Sequence, residues 1–503
     1  MTVCLPAAAL QPSLGQRRPR IGTCRHFIAL GLALGLLAFG AVQAATITVS
    51  SNADAGAGSL RQALIDATTG DTIDFSPTVV PTITLASELV IDKALTISGP
   101  GANLLSIINE GGRVFTINAG GAAVTVSGLG LTGRGHPQGA NGGAILNAQG
   151  ALTLDAVEIS NSSVTAAWNG GGLGGGVYSP VGSSLTIRNS TLASNPAGKG
   201  GAIYALAQGV WIENSTITGN TVTDSGGAMS VEMGAWATIQ QSTIYSNSAN
   251  IGAGVYVRDR ASAEIKNTVA AQNWDRNNGA PLLNDVDHGN NTVVATGSLF
   301  SESDPASVVH NGANTANVFG VVDPKLGTLA ANGGHTMTMV PQGGSPAIDG
   351  AACIGLATDQ RGVARPMGAQ CDIGAVEVGQ YALAVTVTGS GSVTANAPPQ
   401  PISGDVDNCT SAGGLNCTGM YREGDSVTLV ATAAAGQQFA GWTGACTGTG
   451  TTCTLLMTQA RDATARFVPI PPPTAVPTLG EWSLLMLGLL AAGMGVRRLR
   501  RRD

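Results

Sequence analysis

From Ser184 the chain reads SLTIRNSTL, apolar Leu185 and Ile187 alternating with polar Thr186 and Arg188. A period of two is the signature of a strand with one buried face. Near-copies of its second half return as IENSTITGN (Ile212 to Asn220) and IQQSTIYSN (Ile239 to Asn247), which sets Ile187, Ile212, Ile239 and Ile265 at steps of 25, 27 and 26 residues. The glycine-led stretches GGGVY, GGAIY, GGAMS and GAGVY set Val177, Ile203, Met229 and Val255 at steps of 26. Two independent markers share one period. A fixed period of this size means stacked units, none of which can bury its apolar side alone. Breaks fall at Gly pairs and Asn, and helical periodicity is almost absent, so each turn of about 26 residues is predicted to hold three short strands. The fold class that follows is all-β, a right-handed parallel β-helix. About ten coils are expected between Thr46 and roughly Val321, a stack near 50 Å long at about 4.8 Å per coil.

Each copy carries Asn, Ser, Thr and one charged or amide residue, which suits either a duplicated active site or a scaffold needing these residues at every turn. Stacking places equivalent residues above one another. Asn189, Asn214, Gln241 and Asn267 are therefore expected to form one amide ladder, and Asn195, Asn220, Asn247 and Asn273 another, satisfying backbone groups at the corners. Directly after the core aliphatic residue come Asp155, Arg188, Glu213, Gln240 and Lys266. Their signs alternate, where a calcium-dependent lyase would gather acids, and exposed cross-coil pairs are worth only about 0–1 kcal/mol each. The repeated words read as scaffold, with Ile212 pointing inward and Glu213 outward.

Composition agrees: 71 glycines among 503 residues, with 11% charged and 4% aromatic, describe a thin, repeated core. Arg17, Arg18, Arg20 and Arg25, the run FIALGLALGLLAFG and the small residues of AVQA have the layout of a secretory signal peptide over residues 1–44, cleaved after Ala44 or Ala45. Arg17-Arg18 lacks the rest of a twin-arginine signal, so general secretion is preferred. With 25 basic and 31 acidic residues the net charge is −6, and loss of four arginines leaves 21 against 31, or −10. An acidic chain without Lys/Arg stripes argues against nucleic acid as a partner. Cys4 and Cys24 leave with the signal. The remaining six, Cys353 with Cys371, Cys409 with Cys417 and Cys446 with Cys453, read as near-neighbour disulfides in an exported chain; metal binding is the alternative, which no CxxC and no histidine cluster supports.

Several segments resemble known families. ITVSSNADAGAGSLRQALIDATTGDTIDFSP resembles the entry coils of bacterial exported β-helix proteins, with Arg61 and Gln62 in a short helix, GSLRQALIDA, that would cap the stack. SPAIDGA, DQRG and CDIGAVE occur in that order within Asp323 to Val378 and resemble the choice-of-anchor Q domain, although His335 stands where that family more often has proline. Tyr381 to Phe467, with GWTGAC, resembles a small β-rich repeat domain of bacterial extracellular proteins; Trp442 reads as its core aromatic, with carbohydrate stacking as the alternative, and short disulfide loops would offset its small core. PIPPPTA reads as a stiff linker. The tail, with Val476, Pro477, Thr478, Leu479, Gly480, Glu481 and Trp482 before an apolar run and an arginine cluster, closely resembles the IPTL-CTERM sorting signal of Gram-negative bacteria, which implies a membrane-embedded processing enzyme as partner. The expected order is thus signal peptide 1–44, β-helix 45–322, choice-of-anchor Q region 323–380, β-rich domain 381–468, linker 469–475 and sorting tail 476–503. The apolar run Trp482 to Val496, 15 residues or about 22 Å as a helix, is read as a transient transmembrane tail, short against a bilayer core of roughly 30 Å.

Many pectate-lyase-like β-helices cut acidic polysaccharides, so the carboxylates need a search. A lyase needs coil-spaced acids holding calcium plus a base, and a hydrolase needs paired carboxylates. NWD at Asn273 to Asp275 resembles part of the polygalacturonase pattern, yet no Asp-Asp pair, Gly-His-Gly or Arg-x-Lys element follows. NDVDHGN, with Asp285, Asp287 and His288, is the densest set of metal-ligand types and reads as a turn leaving the last regular coil. GRGHPQG, Gly133 to Gly139, reads as a loop. No catalytic residue, cofactor or metal is assigned. The expectation is an exported protein of the cell surface or the medium, working in display, adhesion or matrix interaction through its lateral coil faces, with a cell-surface or matrix polysaccharide as candidate partner. A polysaccharide lyase or glycoside hydrolase is the alternative.

Overall fold

The computed structural model describes residues 44–165, 172–206, 208–276, 282–396, 398–399, 401–412, 416–473 and 479–499. The expected signal segment up to residue 43, with its arginines and Cys4 and Cys24, lies outside the described residues, as do Val476, Pro477 and Thr478 of the tail and its arginines from residue 500 on.

The alternating runs form parallel strands that wind into a β-helix. Three sheets make its walls, of eleven, nine and eight strands among the described residues, and a fourth sheet of very short strands fills one corner. Successive coils pair in register: Ile187 lies beside Ile212, Ile212 beside Ile239, and Ile239 beside Ile265. All four are fully buried, with Val177, Ile203, Met229 and Val255 in the same continuous core. The entry end is closed by the helix Leu60–Asp66, capped by Ser59, whose hydroxyl accepts from the Gln62 N–H, and Leu60, Ala63 and Leu64 pack into the first coils. Corner glycines are required by space as well as by angle. Gly200 has φ +60°, and a Cβ there would lie 2.4 Å from the Ile203 carbonyl oxygen.

The words NST, NST and QST divide three tasks among three residues. Asn189, Asn214, Gln241 and Asn267 do not form the ladder expected of them. Each occupies the left-handed region (φ 53°, 45°, 45° and 45°) and turns the chain between two walls. Their backbone takes the corner, so the side chains are aimed outward: the Asn214 and Asn267 amides donate to the Thr358 and Ala352 carbonyls. The next residue carries an inner ladder instead. Backbone N–H groups of Ser190, Ser215, Ser242 and Thr268 donate to the hydroxyls of Ser215, Ser242, Thr268 and Ser298 in turn (3.1–3.3 Å). The third residue, Thr191, Thr216 or Thr243, faces out from the nine-stranded wall.

Asn195, Asn220, Asn247 and Asn273 form the second expected ladder, all fully buried. Each side-chain amide donates to the next Oδ1 (2.9–3.0 Å), and each backbone N–H donates to the same oxygen, which fixes the amide orientation. The ladder ends on Asp285, whose Oδ1 accepts from the Asn273 amide while Oδ2 accepts from the Ser301 N–H. An acceptor-only carboxylate closes a chain of donors. NDVDHGN therefore belongs to the stack: Val286–Asp287 pairs with the preceding coil through Val255 and Tyr256.

After the last coil the chain turns back along the nine-stranded wall as an irregular strap, residues 323–378, whose Ala347, Ala351 and Ile373 pack on Val269 and Leu299. Thr216 donates to Gln360, Gln360 donates to Thr191, and Ala375 N–H donates to Thr243, so the outward threonines hold the strap. Residues 380–469 then form two facing sheets of five and four strands around Leu383, Tyr421, Trp442 and Phe467. Trp442 is buried, its indole N–H donating to the Gly450 carbonyl, which is a core role. Disulfides join Cys353 to Cys371, Cys409 to Cys417 and Cys446 to Cys453.

Candidate functional site

Of the three walls, the nine-stranded one is covered by the strap, and the eleven-stranded one presents outward-facing side chains that are half-buried or exposed along the regular coils. In-register pairing arranges these in three columns. The first runs Ser184, Gly209, Trp236, Ser262. The second runs Thr153, Thr186, Trp211, Thr238, Glu264. The third is the charged column Asp155, Arg188, Glu213, Gln240, Lys266. In that third column Arg188 pairs with Asp155 at 3.0 Å and Gln240 donates to Glu213 at 2.8 Å. These contacts neutralise or cross-link the charged side chains, and none brings two free carboxylates together.

Two aromatic residues interrupt the hydroxyl columns. Trp211 and Trp236, in adjacent coils, meet edge to face with ring centroids 4.4 Å apart. Gly209 makes room for them: a Cβ there would lie 2.8 Å from both rings. Sequence reasoning passed over this pair. Its signal was present, because aligning the coils puts Gly and Trp where neighbouring coils carry Ser or Thr.

The eight-stranded wall carries a tyrosine column instead. Tyr178 and Tyr204 lie 5.8 Å apart, the Tyr204 hydroxyl donates to Glu232, and the Arg258 guanidinium sits 4.4 Å above the Tyr256 ring while bridging to Asp287. Burial and the Glu232 carboxylate push the Tyr204 hydroxyl pKa far up. Here three coils of four carry tyrosine, with Ser230 between Tyr204 and Tyr256, and Glu232 and Arg258 anchor the rings.

Buried charge gathers at the strap. Arg361 pairs with Asp359 at 3.0 Å and with Glu423 of the β-rich domain at 3.2 Å, and also donates to the Glu377 carbonyl. Arg365 pairs with Glu377 at 3.0 Å in full burial. Desolvation and Glu377 push Asp372 up to about 7. DQRG and CDIGAVE thus supply a network holding the strap to itself and to the next domain. A cleft of about 450 Å³ opens between this strap and the coil corners, lined in part by Asp155, Asn189, His335 and Asp359. Both acids in it are engaged: Asp155 with Arg188 and Asn189, Asp359 with Arg361 and the Glu377 N–H.

The polar loops are accounted for similarly. Asp285 is fully buried and held up to about 7 by desolvation and the nearby Glu302. His288 stacks on His310 at 4.9 Å. His136 bonds to the Gly143 carbonyl, and burial lowers its pKa. Among the described residues no group of three or more His, Cys, Asp or Glu is placed to hold a metal ion.

The tail forms a helix over Leu479–Leu499, so the LGEW half of the sorting motif is helical. Trp482, Leu484 and Leu487 are exposed. Among the described residues no helix is both long and apolar enough to cross a membrane, and the transmembrane reading of the tail gains no support there. The uncharged run between Glu481 and Arg497 is 15 residues, about 22 Å as a helix against a hydrocarbon core of roughly 30 Å.

Comparison with known proteins matches three segments. Residues 142–319 match the right handed beta helix region, 408–471 the divergent InlB B-repeat domain, and 474–501 the IPTL-CTERM motif. No curated protein matches the chain.

Proposed function

We propose that this exported, surface-sorted right-handed β-helix protein works by display, its open eleven-stranded wall making adhesive or matrix contacts. The observation that carries the reading is the asymmetry of the stack. One wall is locked under a strap that leads to a β-rich domain, whereas another faces solvent with columns of hydroxyl, amide and aromatic side chains. Residues 1–44 serve as a secretory signal peptide in a Gram-negative cell. Residues 323–380 serve as a choice-of-anchor Q region that splices the stack to its anchoring modules, and a membrane-embedded enzyme reads Val476 to Trp482.

Cell fractionation tests the sorting half. A chain stopped after Pro473 should appear free in periplasm or medium, and the full-length protein should be surface-associated; identical distributions would refute it. Incubating the mature protein with a polysaccharide panel, with and without calcium, tests the display half. Unsaturated or reducing products would replace display with a lyase or hydrolase.

A further inference from the structure

We propose that Trp211 and Trp236 form a binding site for a neutral polysaccharide chain, an assignment that names a ligand class for the displayed wall and rests on the display reading above. In a stacked protein, residues that hold the scaffold recur at the coil period, as the buried isoleucines, asparagines and inner serines do here. Residues serving a ligand are free to break it. The Trp pair breaks it at three positions together. Ser184 and Ser262 flank a column interrupted by Gly209 and Trp236, and Thr186 and Thr238 flank Trp211. Gly209 is not demanded by the backbone, since its φ lies outside the left-handed region and the equivalent position of the preceding coil is Ser184. Its absent Cβ is what lets the two indoles close over the strand.

The chemistry of the pair selects the occupant. Trp236 remains 38% exposed, although two indoles could cover each other further if burial were their purpose. Edge-to-face packing leaves a stepped apolar corner surrounded by the hydroxyls of Ser184, Thr186, Thr238 and Ser262. A pyranose matches this at its own scale: its C–H face stacks on an indole, and its hydroxyl edge bonds to the surrounding hydroxyls. The two rings offer together at most about 300–500 Å², short of the roughly 800 Å² per partner of a stable protein interface. The adjoining charges are already partnered, Glu213 by Gln240 and Asp155 by Arg188, and the protein is acidic, which disfavours a polyanion.

The test is affinity electrophoresis of the mature protein in gels containing hydroxyethyl cellulose, laminarin, galactomannan, polygalacturonate or alginate, one at a time. At least one neutral polymer should retard the protein, and Trp211→Ala/Trp236→Ala should abolish the retardation. Gly209→Ser is the sharper variant. It keeps both indoles and restores the residue type of the neighbouring coils, so the stack should melt at an unchanged temperature while retardation falls at least several-fold. The assignment is overturned if no neutral polymer retards the protein, if only polygalacturonate or alginate does, if either variant is retarded like the parent, or if the pair instead mediates a dimer that the Trp variants dissociate. Adhesion of cells displaying the double variant separates the two claims. Undiminished adhesion leaves display standing and removes this site from it, whereas adhesion absent from the parent strain removes display itself.

Discussion

Replacing Asn220 by Asp changes one atom of a fully buried side chain and reverses its hydrogen bonding. The Asn220 amide donates to the Leu192 carbonyl at 3.0 Å, the Thr218 carbonyl at 3.2 Å and Asn247 Oδ1 at 2.9 Å, while its Oδ1 accepts from the backbone and side chain of Asn195. A carboxylate keeps the accepting half and turns three donor contacts into oxygen facing oxygen. Volume is unchanged, so no cavity contributes. An uncompensated buried charge costs about 3–5 kcal/mol, a large part of the roughly 5–15 kcal/mol that stabilises a domain. Protonation restores one O–H donor, so at acid pH the loss should shrink toward the about 1–3 kcal/mol of a single unsatisfied group. Urea unfolding followed by circular dichroism at pH 8 and pH 5 measures both, with Glu213→Gln as the surface control expected within about 0.5 kcal/mol of the parent. An Asn220→Asp protein as stable as that control at pH 8, or one whose deficit ignores pH, would refute the ladder as a load on stability.

Ile212→Asp should lower the melting temperature severely because it puts an unpaired charge in the core, whereas Glu213→Gln should barely move it; similar melting temperatures would overturn the assigned register. Asp285 and Asp372 are both held near 7, above the usual carboxylate value of about 3.9. Between about pH 4 and pH 7 the folded protein therefore retains protons that the unfolded chain has released, so stability falls as pH rises through that window, and thermal melts should run higher at pH 5 than at pH 8. Arg361→Met removes the cation shared by buried Asp359 and half-buried Glu423, and limited proteolysis should then cut near the junction at residues 378–380 well before the parent is cut there.

Much of this architecture is carried by local pattern. The coil period, the inward isoleucines, the outward charged column, the Asn195 to Asn273 ladder and the cap at Leu60–Asp66 are each legible, because in a stack the nearest neighbour of a residue is its own equivalent one period away. Contacts that do not obey the period were out of reach. The words NST look alike at every copy, yet Asn turns the corner, Ser builds the inner ladder and Thr holds the strap, a division set by a positive φ at Asn and by a segment over a hundred residues farther along. Asp285 became the end of a ladder only once the stack placed it above Asn273. Gly209 became the seat of two indoles only once the coils came into register. Periodicity specifies the scaffold from sequence alone, since each repeat states the same contact again. The strap, the buried charges and the Trp pair are stated once each, and only the folded chain brings their partners together.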